Sequence, residues 1–511
     1  MHTWLNIALF VAGCSSTGQP DGSASPSAPT PEPTTPSEPS ESPADTGLDG
    51  PRITVPPTAT PPEDSDALGV AIVRVSTDVP TTLTLKVVDS CGLRTVQWPE
   101  LHTDHEVELV GLHIGEVNQL MAVLTDEDGR EVKEVMPSLV ADSDYDLPRL
   151  DVLENTDHVL GDDWLVTAPM SLFDRGWIVA YDAAMHPVYA LPRRVEDLRW
   201  HDGAWWALHE GRGVRWDAQG HELASFERGF MSHELYPLAD GGVLSFEHHR
   251  VSEPNYPVDA QRKKTKETEL MTHAVLQFDA QGQLVQRVSL ADVLDTTHVG
   301  FLSLDGKPRD WSHANAVIPY DADTWLVSVR HLDVLVAIGH DGALKWMLGD
   351  PTGWPSPWRE AFLQPEGELT WFRHAHAPEL GPDGTLWLFD NGNHGGSPYQ
   401  PPPDDHVEVS RAVGYRVDPA AGTVEQAWEV HHDDIFSFAM GDVDPFGPSG
   451  DDVLITFSSE TTLPPQSRIV VRSREGDHVG LDVRFRNGTR FTYRASVIPG
   501  MMGADVLDTR P

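Results

Sequence analysis

The sequence predicts an all-β chain: a six-bladed β-propeller preceded by a small β-sandwich. Two observations carry this. From residue 68 onward, short apolar stretches alternate with period two between Gly, Asp and Asn turns. Beyond Pro148 one unit then recurs, an apolar strand followed by a strand ending in Asp and a Gly turn. A chain of 511 residues exceeds one ordinary core, so two folded units and a tail are expected.

The tail comes first. Ile7 to Val11 is a short apolar run leading into Ala12-Gly13-Cys14, and small residues before a cysteine suit signal-peptidase cleavage. Val11-Ala12-Gly13-Cys14 resembles the lipobox of bacterial lipoproteins, which implies a signal peptide over 1–14 and lipid attachment at Cys14. Residues 15–66 are dominated by Pro, Ser, Thr, Glu and Gly; with little to bury, they cannot offset the entropy of ordering and are expected to form a disordered tether. Ser15, where Asp would retain an inner-membrane lipoprotein, implies by the same resemblance export and lipid anchoring at the outer membrane or at the cell surface or periplasm.

Residues 67–142 hold Gly69–Val75, Thr82–Val87, His105–Val110 and Leu120–Leu124, all alternating. This module resembles a fibronectin type III or immunoglobulin-like sandwich, and a docking role is expected for it. Residues 148–505 carry the repeat. It reads Gly203–Ala207 with Val214–Gly220, Gly242–Phe246 with Leu276–Gly282, Trp325–Val329 with Val336–Gly342, and Thr385–Phe389 with Gly414–Asp418. Flanking copies near Trp177 and Val453 bring the expected count to six blades. Polar residues on inner strands then gather near the axis.

A formal charge of −43 excludes nucleic acid as a partner, because phosphate binding needs a basic face. Any anion site must therefore be built locally from His and Arg. Cys14 and Cys91 are too few for a disulfide framework; Cys91 is expected to be a free thiol in a turn, with no histidine near it in sequence.

Among 24 histidines, those at strand entrances stand out: Asp310-Trp311-Ser312-His313-Ala314-Asn315, Val329-Arg330-His331, Phe372-Arg373-His374-Ala375-His376 running to Asp390-Asn391-Gly392, and Ser410-Arg411 leading to His431-His432. His374 and His376, two apart on a strand, would face one side and suit two metal ligands. No further donor lies at tight sequence spacing, so no metal site and no cofactor are expected.

These segments resemble the arylsulfotransferase (aryl-sulfate sulfotransferase) family strongly over residues 305–460. Asp310 to Asn315 matches its D-W-x-H-x-N entrance. Ser328 to Arg330, continuing to Trp346-Met347-Leu348-Gly349, matches its S-x-R…W-x-L-G blade. His376 through Asp383-Gly384 to Phe389-Asp390-Asn391-Gly392 matches H-D-A…D-G…F-D-N-G, and Ser410-Arg411-Ala412-Val413 matches S-R-A-V. The resemblance implies nucleotide-independent transfer of a sulfuryl group from an aryl sulfate to a phenol through a sulfated histidine. It implies His432, or His431 beside it, as nucleophile, with His313 and His376 binding the sulfonate or shuttling protons. Arg330 and Arg411 are candidates for charge neutralisation, with Asn315 and Asn391 completing the substrate-binding set. Two positions depart from the pattern: Ala377 stands where the family usually has Asp, and Asn393-His394-Gly395 where an active-site Arg is expected, so that His394 would serve as donor. The competing expectation is a noncatalytic surface propeller that binds a sulfated or phenolic ligand or a protein partner. Expected partners are aryl sulfates, phenols and the membrane through the lipid; a homodimer stays open.

Overall fold

The computed structural model describes residues 50–140, 145–156, 159–171, 176–259, 262–300, 308–393, 408–447, 449–460, 466–486 and 490–500. The expected signal peptide, Cys14, the tether through residue 49 and His394 lie outside them.

The fold is all-β and propeller-like. The N-terminal module is one six-stranded sheet rather than two separate ones. Its spine is the 20-residue strand Val70–Asp89, paired along its length with the 19-residue strand Gly92–Val110. Ile53–Thr60 adds to the first half of the spine and Val117–Asp126 to the second. Alternate residues of the spine, Ala71, Val73, Val75, Leu83, Leu85 and Val87, turn into a shared core. The strand Ile53–Thr60 corrects the expected tether, which ends before it. Pro56 and Pro57 concealed it, since proline cannot donate to a ladder, but this strand pairs on one side only and its register is broken there.

Among the described residues, six further sheets of four or five strands follow. Each is a meander, for instance Leu198–His201, Ala204–His209, Arg212–Trp216 and Glu222–Phe226. The first strands Leu198–His201, Met231–Pro237, Ala314–Asp321, His376–Leu380 and Asp442–Phe446 pack in succession on one another, so they line the axis. The ring is tied at both ends of the chain: Ala495–Ile498 pairs with Trp164–Thr167 of the first sheet, and Leu150–Asn155 pairs with Val479–Phe485 of the last. No helix among the described residues is long and apolar enough to cross a membrane.

The recurring Asp turn has a local cause. Asp217 Oδ1 accepts the N–H groups of Gln219 and His221, and Asp279 Oδ1 those of Gln281 and Gln283. Each side chain thus replaces the hydrogen bonds that the reversing backbone gives up. Asp182 makes the same bonds to Ala184 and His186 in the first sheet. That turn brings His186 Nδ1 to 3.3 Å from Cys91 Sγ, which corrects the expectation that Cys91 has no histidine beside it.

Candidate active site

The entrances to the axial strands are where the backbone is strained. His233, His313, His374, Ala377 and Met440 all have positive φ, between 41° and 68°. The pairing register breaks beside Ser232 and Leu235, beside Ala314 and Ala316, and beside His376 and Glu379. Such conformations cost on the order of 1–3 kcal/mol each for non-glycine residues, and bulges re-aim side chains. Here three of the five residues are histidines.

Their rings form a connected series. His233 lies 4.8 Å from His313, centroid to centroid, His313 stacks on His331 at 4.5 Å, and His331 meets His374 edge-on at 6.3 Å. His248 and His273 face each other across the long hairpin of Val243–Pro257 and Thr265–Phe278, with rings 4.4 Å apart. Burial holds nearly all of them neutral. It pushes His248 down to about 4 and His331 to about 3, and His233, His273, His374 and His376 well below their ordinary value.

Hydrogen bonds settle which nitrogens are free. His313 Nδ1 donates to Asp310 Oδ2 at 2.5 Å, so that Nε2 is the acceptor whenever the ring is neutral. Burial opposes ionisation of Asp310, yet the His313 charge and this bond hold it well below the usual carboxylate range. His376 Nδ1 donates to Asn391 Oδ1 at 2.6 Å, because the Asn391 amide itself donates to the Ser437 and Met440 carbonyls. The His376 lone pair is thereby fixed on Nε2, where it accepts the Met440 N–H at 3.2 Å. His273 Nδ1 accepts from Ser312 Oγ and Ala314 N–H, so its proton sits on Nε2, buried without a partner. Both nitrogens of His374 and Oδ1 of Asn315 are likewise buried without a hydrogen-bond partner. Native proteins rarely leave such atoms orphaned, and several in one place mark a ligand site.

Arg330 is the buried cation of this site and lies in the field of the Asp310 carboxylate. It is buried and has no ion-pair partner among the described residues; its guanidinium donates to the Phe438 carbonyl at 3.0 Å and to His331 Nε2 at 3.1 Å, while Nε is unpaired. Burial lowers it to about 10, still a cation at neutral pH. A buried, unpaired arginine among neutral imidazoles is a receptor for an anion.

The structure therefore brings together His313, His376, Arg330, Asn315 and Asn391. It adds His233, His248, His273, His331 and His374, which sequence reasoning left out of the site. Their signals were present as His248 and His273 on facing strands, but the register of a 15-residue strand is not readable locally. Gly392 is required where it stands: its φ is +66° and a Cβ would meet the Val409 carbonyl at 1.9 Å.

Three expectations need correction. His432 does not join the site. It follows Thr423–His431, the strand farthest from the axis in the four-strand meander of its sheet, about 14 Å from the axial strand at ladder spacing. Its Nε2 meets Asp482, which Arg468 also binds. His431, its alternative, is exposed. Arg411 is not a free cation, since it is paired with Asp390 at 2.8 Å and with Glu429; it braces Asp390, whose Oδ1 accepts the Arg373 and Gly392 N–H groups. Finally, His374 and His376 do not share a face, because His374 has left-handed φ and lies before the strand.

Next to this site, the axial strands carry buried ions. Arg494 Nε is 2.7 Å from Asp197 and its other nitrogens 3.4 Å from Glu234 and 3.8 Å from Asp442, while Arg199 is 3.0 Å from Glu234. Burial outweighs the arginines and raises Glu234 and Asp442 above the usual carboxylate range.

A pH dependence of stability follows. Histidines lowered on folding stabilise fully above their unfolded value of about 6.5, and that contribution is lost as pH falls toward 4 for His248 and 3 for His331. Carboxylates raised on folding stabilise at acid pH and lose that contribution as pH rises through their folded values. Between about pH 6.5 and 4.5 the two effects oppose each other and urea midpoints should change little; below about pH 4.5 the carboxylate gain saturates while the histidine loss continues, and midpoints should fall steeply. A midpoint that stays flat from about pH 5 to 3 would contradict this assignment of neutral histidines.

Metal ligand sets also appear. Ligand atoms of His233, His248 and His273 lie within 4.8 Å of one another, as do those of Asp310, His313 and His331. The members of the first set come from three strands, which sequence spacing cannot show; in the second, Asp310 and His313 are three residues apart and only His331 comes from elsewhere.

The arylsulfotransferase (ASST) family profile matches residues 179–494. The chain belongs to the arylsulfotransferase family. The match spans all the axial residues named above. Among curated proteins, the chain is 27% identical over 282 residues to arylsulfate sulfotransferase AssT of Escherichia coli O6:H1, covering 44% of this chain and 45% of that protein. It is 27% identical over 286 residues to AssT of Lelliottia amnigena, with the same shares. The chain thus spans about half the length of these relatives. Among solved structures, a protein of unknown function from Bacteroides caccae is similar at a TM-score of 0.42 and 11% identity, covering 66% of this chain and 99% of that one.

Proposed function

We propose that this family member transfers a sulfuryl group from an aryl sulfate to a phenol at the axial histidine site, without a nucleotide. The observation that carries the reading is Arg330, a buried cation with no carboxylate ion-pair partner among the described residues, set beside unpaired donors that suit sulfonate oxygens. The nucleophile must be a neutral imidazole with an oriented lone pair. His376 meets this: Asn391 fixes its tautomer and burial keeps it uncharged. His376 Nε2 gives up the Met440 N–H that it accepts and attacks sulfur, the S–O bond to the donor breaks, and the phenolate leaves. Arg330 and the His273 Nε2–H would neutralise the oxygens as charge grows on them. In the second half, the acceptor phenol gives its proton to His313 Nε2, poised by Asp310, and its oxygen takes the sulfuryl group from His376. On this reading the chain is exported and anchored through Cys14.

The test is release of 4-nitrophenol from 4-nitrophenyl sulfate by the purified protein, with and without phenol and with no added nucleotide. Phenol-dependent release, lost in Arg330→Met through a raised KM and a lowered kcat, is the expected result. Saturable binding of the aryl sulfate with no release would establish the noncatalytic propeller instead.

A further inference from the structure

A second cluster lies far from the axis in the fold, where the N-terminal module meets the first propeller sheet. Cys91 sits in the turn joining the two long strands of the module, and His113 just after the second of them. Asp182 and His186 form the Asp turn between Ile178–Tyr181 and Pro187–Leu191. The two bodies are already docked there by a two-way backbone pairing of Leu68 with Ala190. Cys91 and His113 precede the family match, which begins at residue 179.

The four side chains converge. Cys91 Sγ is 3.3 Å from His186 Nδ1 and 3.4 Å from Asp182 Oδ2. His113 Nε2 is 2.9 Å from Asp182 Oδ2, which is 3.9 Å from His186 Nδ1. All four ligand atoms lie within 4.8 Å of one another. Zinc held tetrahedrally by one sulfur and three nitrogen or oxygen atoms, at about 2.3 Å and 2.0–2.1 Å, sets ligand separations of roughly 3.3–3.6 Å. The cluster already approximates them.

The outer contacts are of the kind that orient metal ligands. His113 is fully buried and turns Nδ1 to Glu116 Oε2 at 3.4 Å and Ser90 Oγ at 3.3 Å, leaving Nε2 toward the cluster. Asp182 spends Oδ1 on its own turn, so Oδ2 is the atom presented. The sister turn shows that the placement of His186 is not dictated by the motif. In the second sheet, His221 occupies the same position and folds back onto its own Asp217 at 3.0 Å. His186 instead stands nearer to Cys91 than to Asp182.

We propose that Cys91, His113, Asp182 and His186 form a zinc site that clips the N-terminal module to the propeller. One thiolate, two imidazoles and one carboxylate suit zinc over calcium or magnesium, which take oxygen ligands. The four come from three separate segments, so the ion would cross-link both bodies and stabilise the docked state. Cys91 is exposed, which gives the ion a way in.

The test uses the full chain, stripped with a chelator and titrated with cobalt(II), then zinc. Wild type is expected to bind one equivalent of cobalt with a thiolate-to-cobalt charge-transfer band and the intense visible bands of a tetrahedral ion. Zinc should bleach both and raise Tm. Cys91→Ser should lose the charge-transfer band and the zinc-dependent rise in Tm while keeping the metal-free Tm. Glu116→Gln should keep the band and weaken binding by roughly 10–100-fold. A band that persists in Cys91→Ser would overturn the proposal, as would cobalt binding without any thiolate band, which would point to the axial histidines. So would a wild type that binds no metal.

Discussion

His376→Asn is expected to lower kcat for phenol-dependent 4-nitrophenol release by at least about 10³-fold, the scale on which loss of a covalent nucleophile is felt. The magnitude follows from the geometry. Nε2 of His376 is the lone pair fixed by a hydrogen bond to Asn391, and the residue is held neutral by burial. Asparagine can still bond Asn391, so the urea midpoint should change little while turnover disappears. Incubating wild type with aryl sulfate alone should add one sulfuryl group to a peptide containing His376, read by mass spectrometry. Residual turnover within tenfold of wild type would remove His376 from the nucleophile role. If sulfation then appeared on His374, whose ring nitrogens make no hydrogen bond among the described residues, the same pocket would keep its chemistry with a different histidine. His432→Asn should leave kcat within a few-fold, because that side chain is paired with Asp482 between outer strands.

Arg494→Met is expected to cost about 3–5 kcal/mol of stability, the range found when one partner of a buried ionic group is removed. Arg494 is 4% exposed and faces Asp197, Glu234 and Asp442, all buried. Methionine nearly fills the volume but leaves Arg199 alone against those carboxylates. The residue lies directly before Ala495–Ile498, the strand that closes the ring onto the first sheet, so the loss is expected to loosen that closure first. Urea unfolding measures it, and the deficit should shrink at pH 5, where the raised carboxylates can take up protons. A cost under 1 kcal/mol, or one independent of pH, would mean that water reaches these acids and that the network does not hold the axis.

What the amino-acid order determined by itself is the set of local rules. Period-two alternation marked the strands, since a strand with one buried face must alternate. The Asp turns could be read because Asp217 and Asp279 satisfy their own backbone, whatever the rest of the chain does. The stretches around His313, Arg330, His376 and Asn391 were legible for the same reason, each lying within a few residues of its strand entrance. Tertiary structure alone decided which of these residues meet. His432 and His376 look equivalent in sequence, yet one follows an outer strand and the other begins an axial one; only the strand order of the sheet separates them. Arg411 and Arg330 carry the same charge, but Asp390 pairs with the first, while among the described residues no carboxylate forms an ion pair with the second. Cys91 and His186 are 95 positions apart. Their approach depends on how the module docks against the first sheet, which is set by the sum of many weak long-range contacts and written in no local segment.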